Sequence, residues 1–143
     1  MKGPGYMRLL QSRRAWLWNV AFGGTLTILV KNSAGGSSDS PSFHERPSAE
    51  PLPKTLDPQV FADPTIRNAY QRAAEIKQIL YQQPCYCFCD RALQHSSLLD
   101  CFVTDHAAQC NVCRDEALYC YREFRKKRTA AQIRKALMLR KWS

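Results

Sequence analysis

Thirty residues, 84–113, carry six of the chain's seven cysteines and two of its three histidines. Pro84-Cys85-Tyr86-Cys87-Phe88-Cys89-Asp90 opens the stretch, His95, Cys101 and His106 follow, and Cys110-Asn111-Val112-Cys113 closes it. Thiols packed this densely along a chain must either meet or reach separate partners. If Cys85, Cys87 and Cys89 sit on extended backbone, they lie on one face at steps of about 6.6 Å. A disulfide wants Cβ atoms about 3.5–4.5 Å apart, so neighbours in that row cannot pair without a bend. A curled loop would let the three converge on a metal, with Tyr86 and Phe88 on the opposite face against the core.

Cys110 and Cys113 fall one turn apart near the start of an expected helix, where the helix dipole and free amides favour thiolate. Their C-x-x-C spacing serves zinc, iron–sulfur and redox sites alike. Asp115 and Glu116 read as first-turn partners of the same dipole. His95 and His106 become candidate ligands because of the thiols around them, whereas His44 stands alone and Cys120 reads as a buried packing thiol. Six thiols form at most three disulfides, with fifteen connectivities. Six thiolates and two imidazoles hold two tetrahedral ions or one thiolate-bridged pair. Disulfides, redox-active thiols and a metal site all remain open at this level, with the metal site preferred.

Charge divides the chain. The +9 net charge resides in its ends: residues 1–34 carry five basic and no acidic residues, and residues 121–143 carry nine basic residues against Glu123. Residues 35–120 have seven basic and eleven acidic residues, so the body lacks the basic surface that nucleic-acid binding needs. Arg8, Arg13 and Arg14 precede an uncharged run from Ala15 to Val30 that is diluted by Asn19, Gly23, Gly24, Thr25 and Thr27. A spanning helix needs about twenty predominantly apolar residues, so residues 1–34 read as an export signal. Ser12-Arg13-Arg14-Ala15-Trp16-Leu17 has the twin-arginine pattern, and no cysteine precedes Cys85 for lipid attachment. A Gly/Ser/Pro-rich flexible linker is expected over 35–56, and a Cys-rich helical domain over 57–143.

Asp63-Pro64 predicts a helix start, followed at helical spacing by Ile66, Ala69, Tyr70, Ala73, Ile76 or Lys77, and Leu80. Pro84 ends it. Ser97-Leu98-Leu99-Asp100 reads as a capping box for a short helix bearing Cys101 and Phe102. A longer helix over 108–127 should bury Cys110, Cys113, Ala117, Cys120 or Tyr121, and Phe124. Thr129-Ala130-Ala131-Gln132 caps a last helix with Ile133, Ala136 and Leu137 inward. No segment alternates as a strand. The fold class is all-α: a small domain of about four helices with an irregular Cys-rich loop.

The Cys85-Tyr86-Cys87-x-Cys89 segment, with Ser97-Leu98-Leu99-Asp100-Cys101-Phe102, Asp105-His106 and Cys110-x-x-Cys113-x-x-Glu116-Ala117, resembles the bacterial PCYCGC-motif family over residues 55–137. The resemblance implies a small exported or lipid-anchored bacterial protein with no established activity. Relatives described with selenocysteine in the motif imply redox or soft-metal chemistry. The family pattern around His95 is glycine-histidine-lysine-serine; Gln94 and Ser96 replace the glycine and the lysine, so no tight turn or cation is expected there.

The reading is an exported, extracytoplasmic (periplasmic or outer-face) protein that binds or sequesters metal without turnover. Its ligands are Cys85, Cys87, Cys89, Cys101, Cys110, Cys113 and His106, with His95 beside them. Soft donors favour zinc or copper(I), and an iron–sulfur cluster suits them too. The enzyme alternative is a thiol–disulfide protein using Cys110 and Cys113 with the Cys85–Cys89 row. The structural alternative is a disulfide-stapled interaction module. An extracytoplasmic protein partner fits the metal-handling role, and membrane contact is expected only through the leader or the basic tail. No carboxylate pair or hydroxyl–histidine arrangement suggests acid–base catalysis.

Overall fold

A computed structural model describes residues 40–141 of the chain. The expected leader, and residues 35–39 of the expected linker, lie outside the described residues. Those described form a 3-10 turn (Pro58–Val60) and seven helices: α1 (Pro64–Glu75), α2 (Lys77–Tyr81), α3 (Cys89–Leu93), α4 (Asp100–Val103), α5 (His106–Gln109), α6 (Asn111–Arg125) and α7 (Ala130–Met138). The all-α reading holds, and no strand is present among the described residues. The helices outnumber the four expected because α3 and α5 are additional short ones and the first long helix is broken in two.

Helix α1 starts where Asp63-Pro64 predicts. The Asp63 carboxylate accepts the Thr65 N–H at 2.7 Å, and Pro64 takes the first helical position without losing a bonded amide. Ala69, Tyr70, Ala73, Ile76 and Leu80 are all buried, as their spacing requires. The backbone nevertheless departs from helix at Ile76 (φ −122°, ψ 32°), separating α1 from α2. The apolar row survives this break because the Ile79 and Leu80 N–H groups both bond back to the Ile76 carbonyl, at 2.9 and 3.1 Å. Beyond α2 the fully buried Gln83 joins three parts of the fold. Its Nε2 donates to the carbonyls of Ile79 and Ala130, and its own carbonyl accepts the Leu98 N–H at 2.9 Å. The motif at Pro84 therefore begins from a fixed point.

Helix α6 is the hub, meeting α1, α2, α5 and α7. It is shorter than the expected 108–127, because Cys110 is extended (φ −123°, ψ 107°) and separates α5 from α6. Its buried face also differs. Cys113, Ala117 and Cys120 point inward as expected, but Cys110 is only half-buried and Phe124 is 40% exposed. Glu116 and Glu123 fill the row instead. A pattern read from apolar residues passes over carboxylates, yet a carboxylate can be buried when it is paired. Glu123 accepts Lys126 Nζ at 2.7 Å and Arg128 Nε at 2.9 Å; Glu116 is described with the centre. Helix α7 has the capping box its sequence predicts, with Thr129 and Gln132 bonded reciprocally, and buries Ile133, Ala136 and Leu137.

Residues 40–56 contain no helix or strand, in keeping with their composition, but they are docked along the helical body. Ser42 N–H donates to Asp90 Oδ2 at 3.0 Å. The His44 ring stacks on Tyr81 with centroids 3.9 Å apart, and Leu52 and Leu56 pack against the core. No helix among the described residues is long and apolar enough to cross a membrane.

Candidate metal centre

The loop from Cys85 to Cys89 is curled, not extended. The Phe88 N–H bonds to the Cys85 carbonyl at 3.1 Å, closing a tight turn, and Phe88 takes a left-handed conformation (φ 59°). That turn converts a row of thiols into a cluster. The Cys85 Sγ lies 3.3 Å from that of Cys87 and 3.4 Å from that of Cys113, while Cys87 and Cys113 are 3.5 Å apart. Cys89, at the start of α3, lies 3.3 Å from Cys101 on α4. Tyr86 packs partly into the core, as expected for its side of the turn.

Glu116 holds the turn from below. Its two carboxylate oxygens accept the Tyr86 N–H at 3.0 and 3.3 Å, at a position with no solvent exposure. Burial pushes this carboxyl up to about 8, so it keeps a proton well above the usual carboxylate range. The sequence reading gave Glu116 to the helix dipole. Its place one turn beyond Cys113, on the same row of α6, was the signal that it faces the motif.

The histidines arrive from short segments whose own geometry aims them. Asp100 Oδ2 accepts the Ser96 N–H at 2.7 Å and its hydroxyl at 2.8 Å, folding residues 95–101 back on themselves. His95 Nδ1 thereby sits 3.4 Å from the Cys101 sulfur. The capping box expected at Ser97 does not form. Leu99 stands at the N-cap of α4, the Asp100 carboxylate is engaged with Ser96, and the Ser97 hydroxyl is buried without a partner. Helix α4 still carries Cys101 and Phe102 into the core. At α5, Tyr70 Oη donates to the Thr104 carbonyl at 2.8 Å, and Arg114 of α6 binds the carbonyls of Ala107 and Ala108. These ties place His106 Nε2 3.4 Å from the Cys87 sulfur.

All eight residues singled out from the sequence thus meet in one cluster. Cys87, His106, Cys110 and Cys113 have donor atoms within 4.8 Å of one another, as do Cys85, Cys101 and Cys113, then Cys85, Cys87 and Cys89, and finally Cys89, Cys101 and His106. His95 joins through Cys101. His44 does not join; its Nε2 lies 3.1 Å from the Ser96 hydroxyl. Cys120 is fully buried in the core, and burial pushes its thiol up.

A tetrahedral ion with sulfur ligands at about 2.3 Å separates those sulfurs by about 3.8 Å. The observed sulfur–sulfur contacts of 3.3–3.5 Å fall slightly short of that spacing, so the donors could hold a metal after small outward adjustments. Crowded thiols cannot all ionise together. Hydrogen bonds, foremost from Cys101, hold Cys87 and Cys89 below the usual thiol range, while contact with Cys101 first of all holds Cys113 above it. All seven cysteines are free. The imidazoles form the outer edge of the cluster. With Leu93, Thr104, Asp105 and Gln109 they line an open hollow of about 440 Å³.

The family model of proteins of unknown function with a PCYCGC motif matches residues 31–138. No curated protein and no solved structure matches the chain. The chain belongs to the PCYCGC-motif family. Its motif departs from that name at one place, where Phe88 stands in place of the motif's glycine. The left-handed φ at this position explains a glycine there, since a Cβ is disfavoured in that conformation. Here Arg91 lies 4.4 Å over the Phe88 ring, and Tyr86 meets it edge-on at 6.3 Å. Gln94 repeats the situation. It too is left-handed (φ 57°), at the end of α3, so that backbone conformation is adopted there without the glycine.

Proposed function

We propose that this PCYCGC-motif protein binds a soft metal ion through its Cys/His cluster and holds it for storage or transfer, without catalysing a reaction. The observation that carries the reading is the convergence of six thiols and two imidazoles from four separate short segments onto one cluster. Zinc and copper(I) suit thiolate and imidazole donors, and an iron–sulfur cluster suits the cysteines alone. The proposal includes export by the twin-arginine leader, a route that carries folded, loaded proteins. A protein partner outside the cytoplasm would deliver or receive the metal. Replacing Arg13 and Arg14 with lysine should then retain the protein in the cytoplasm.

The test is native beside denaturing mass spectrometry, on protein purified from its own compartment without chelator. Added mass that disappears on denaturation, leaving seven free thiols, supports the reading and identifies the ion. A chain without adduct, lighter by multiples of two hydrogens, overturns it in favour of disulfides. The second reading is a thiol–disulfide protein, favoured by one observation: neighbouring sulfurs already in contact, with Cys85 and Cys87 at 3.3 Å. Cys113 lies 3.4 Å from Cys85 and 3.5 Å from Cys87, next to the row that this alternative takes as its relay. Thiols of the reduced, metal-free protein that resist a mild oxidant exclude it.

A further inference from the structure

We propose that the centre holds two zinc-class divalent ions, one in Cys87, His106, Cys110 and Cys113, the other in Cys85, Cys89, Cys101 and His95. This deepens the metal-binding reading and rests on it. The first set is complete by itself: three thiols and an imidazole within 4.8 Å of one another, the donor number and type of a closed tetrahedral zinc site. An ion placed there leaves Cys85, Cys89 and Cys101 unused. They are not scattered. Cys89 and Cys101 touch at 3.3 Å, and Cys85 lies within 4.8 Å of each of them. All three are at most 4% exposed, so no solvent-side role accounts for them.

The imidazoles decide the partition. His106 can reach either set, since it lies within 4.8 Å of Cys89 and Cys101 and also of Cys87, Cys110 and Cys113. His95 Nδ1 sits 3.4 Å from Cys101, while His106 Nε2 sits 3.4 Å from Cys87. His106 completes the first set, and His95, which reaches the second set through its contact with Cys101, would complete that one, so that each is Cys₃His. Three thiolates and a neutral imidazole give a divalent ion a net charge of about −1 per set, small enough for a mostly buried site. The seam between the sets is the 3.4 Å contact of Cys85 with Cys113 and the 3.3 Å contact of Cys85 with Cys87. One chain segment feeds both sets in alternation: Cys85 and Cys89 serve the second, Cys87 the first. The curled turn at Phe88 makes that alternation geometrically possible.

The experiment titrates the full chain, reduced and stripped with chelator, with Zn²⁺ and counts bound ions by native mass spectrometry. The wild-type chain should bind two. Cys110→Ser alters a half-exposed residue of the first set, and Cys89→Ser a residue of the second; each variant should keep one ion, and the double variant none. Retention of the other ion itself reports that the variant is folded, and far-ultraviolet circular dichroism checks the double variant. A wild-type chain binding one ion, lost in both single variants, overturns the two-ion proposal and leaves metal binding intact. Loss of both ions in either folded single variant overturns the partition into separate sets. No bound zinc in the folded wild-type chain overturns this proposal, and the mass of protein purified from its own compartment then decides the metal-binding reading separately.

Discussion

The helical body and the cysteine region are built on different rules. In the body, the sequence supplies side-chain caps on all but α2, which follows directly from α1: Asp57 on the 3-10 turn, Asp63 on α1, and Thr129 with Gln132 on α7. The four helices that begin between Phe88 and Cys110 have no side-chain cap at all. Three of them are only four or five residues long, far below the length at which a helix holds itself together. The body is therefore specified locally, and the cysteine region by what its side chains meet. On the metal-binding reading, the ions do there what caps do elsewhere.

The sharpest way to break this contrast is to remove the metal. Chelation of loaded protein should raise amide exchange over residues 89–109 by about a hundredfold or more, while the buried turn Ala69–Ala73 of α1 changes little. Equal deprotection of both regions would show that they unfold as one unit. The next largest effect lies at the joint between them. Glu116→Ala leaves the buried Tyr86 N–H without an acceptor and should cost about 2 kcal/mol in denaturant unfolding. Glu116→Gln keeps an acceptor and should cost less than about 1 kcal/mol. Equal losses in the two would mean that packing, not the hydrogen bond, holds the turn.

Phe88 refines the contrast within the loop. Phe88→Ala removes the Arg91 stack but keeps a Cβ in a left-handed position, and should destabilise the protein by about 1 kcal/mol. Phe88→Gly relieves the backbone and should restore most of that loss; a glycine variant weaker than the alanine one would contradict the strain argument. The smallest effect belongs to the body. The hydrogen bond from Lys126, then the charges of Lys126 and Arg128, holds the Glu123 carboxyl below its ordinary value of 4.5. A lowered carboxyl contributes stability above the unfolded value, and that contribution is lost as the pH falls through the folded one. Glu123→Gln should thus cost about 1 kcal/mol or less at neutral pH, the gap from wild type closing in acid. Thermal melts across that range, unchanged by metal, are the check.

What could be read from the sequence follows the same division. Asp63-Pro64, the Ala69–Leu80 row, the Thr129 box and the inward face of α7 are local signals, and each appears where it was read. The cluster membership of all eight donors was legible because cysteine and histidine declare their chemistry by type. The break at Ile76 was not, since the apolar row runs through it undisturbed. Nor was the split at Cys110, which depends on Arg114 gripping the carbonyls of α5 from the next helix. The buried carboxylates escaped a reading that takes charge as a sign of exposure. The docking of residues 40–56 rests on single contacts, such as His44 on Tyr81, that composition does not encode.

On the metal-binding reading, the hollow beside His95 and His106 would set how fast the centre can be emptied. The sulfurs of Cys85, Cys89, Cys101 and Cys113 are buried, and the imidazoles border the hollow beside them. On that reading, exchange would begin at the histidines, which border the hollow, and not at the buried sulfurs. A slim donor, such as a single thiol on a flexible chain, enters an opening of this size more readily than a bulky multidentate chelator. Tight retention against chelators and quick release to a small thiol can coexist in one site, because affinity is set by the buried sulfurs and lability by the rim.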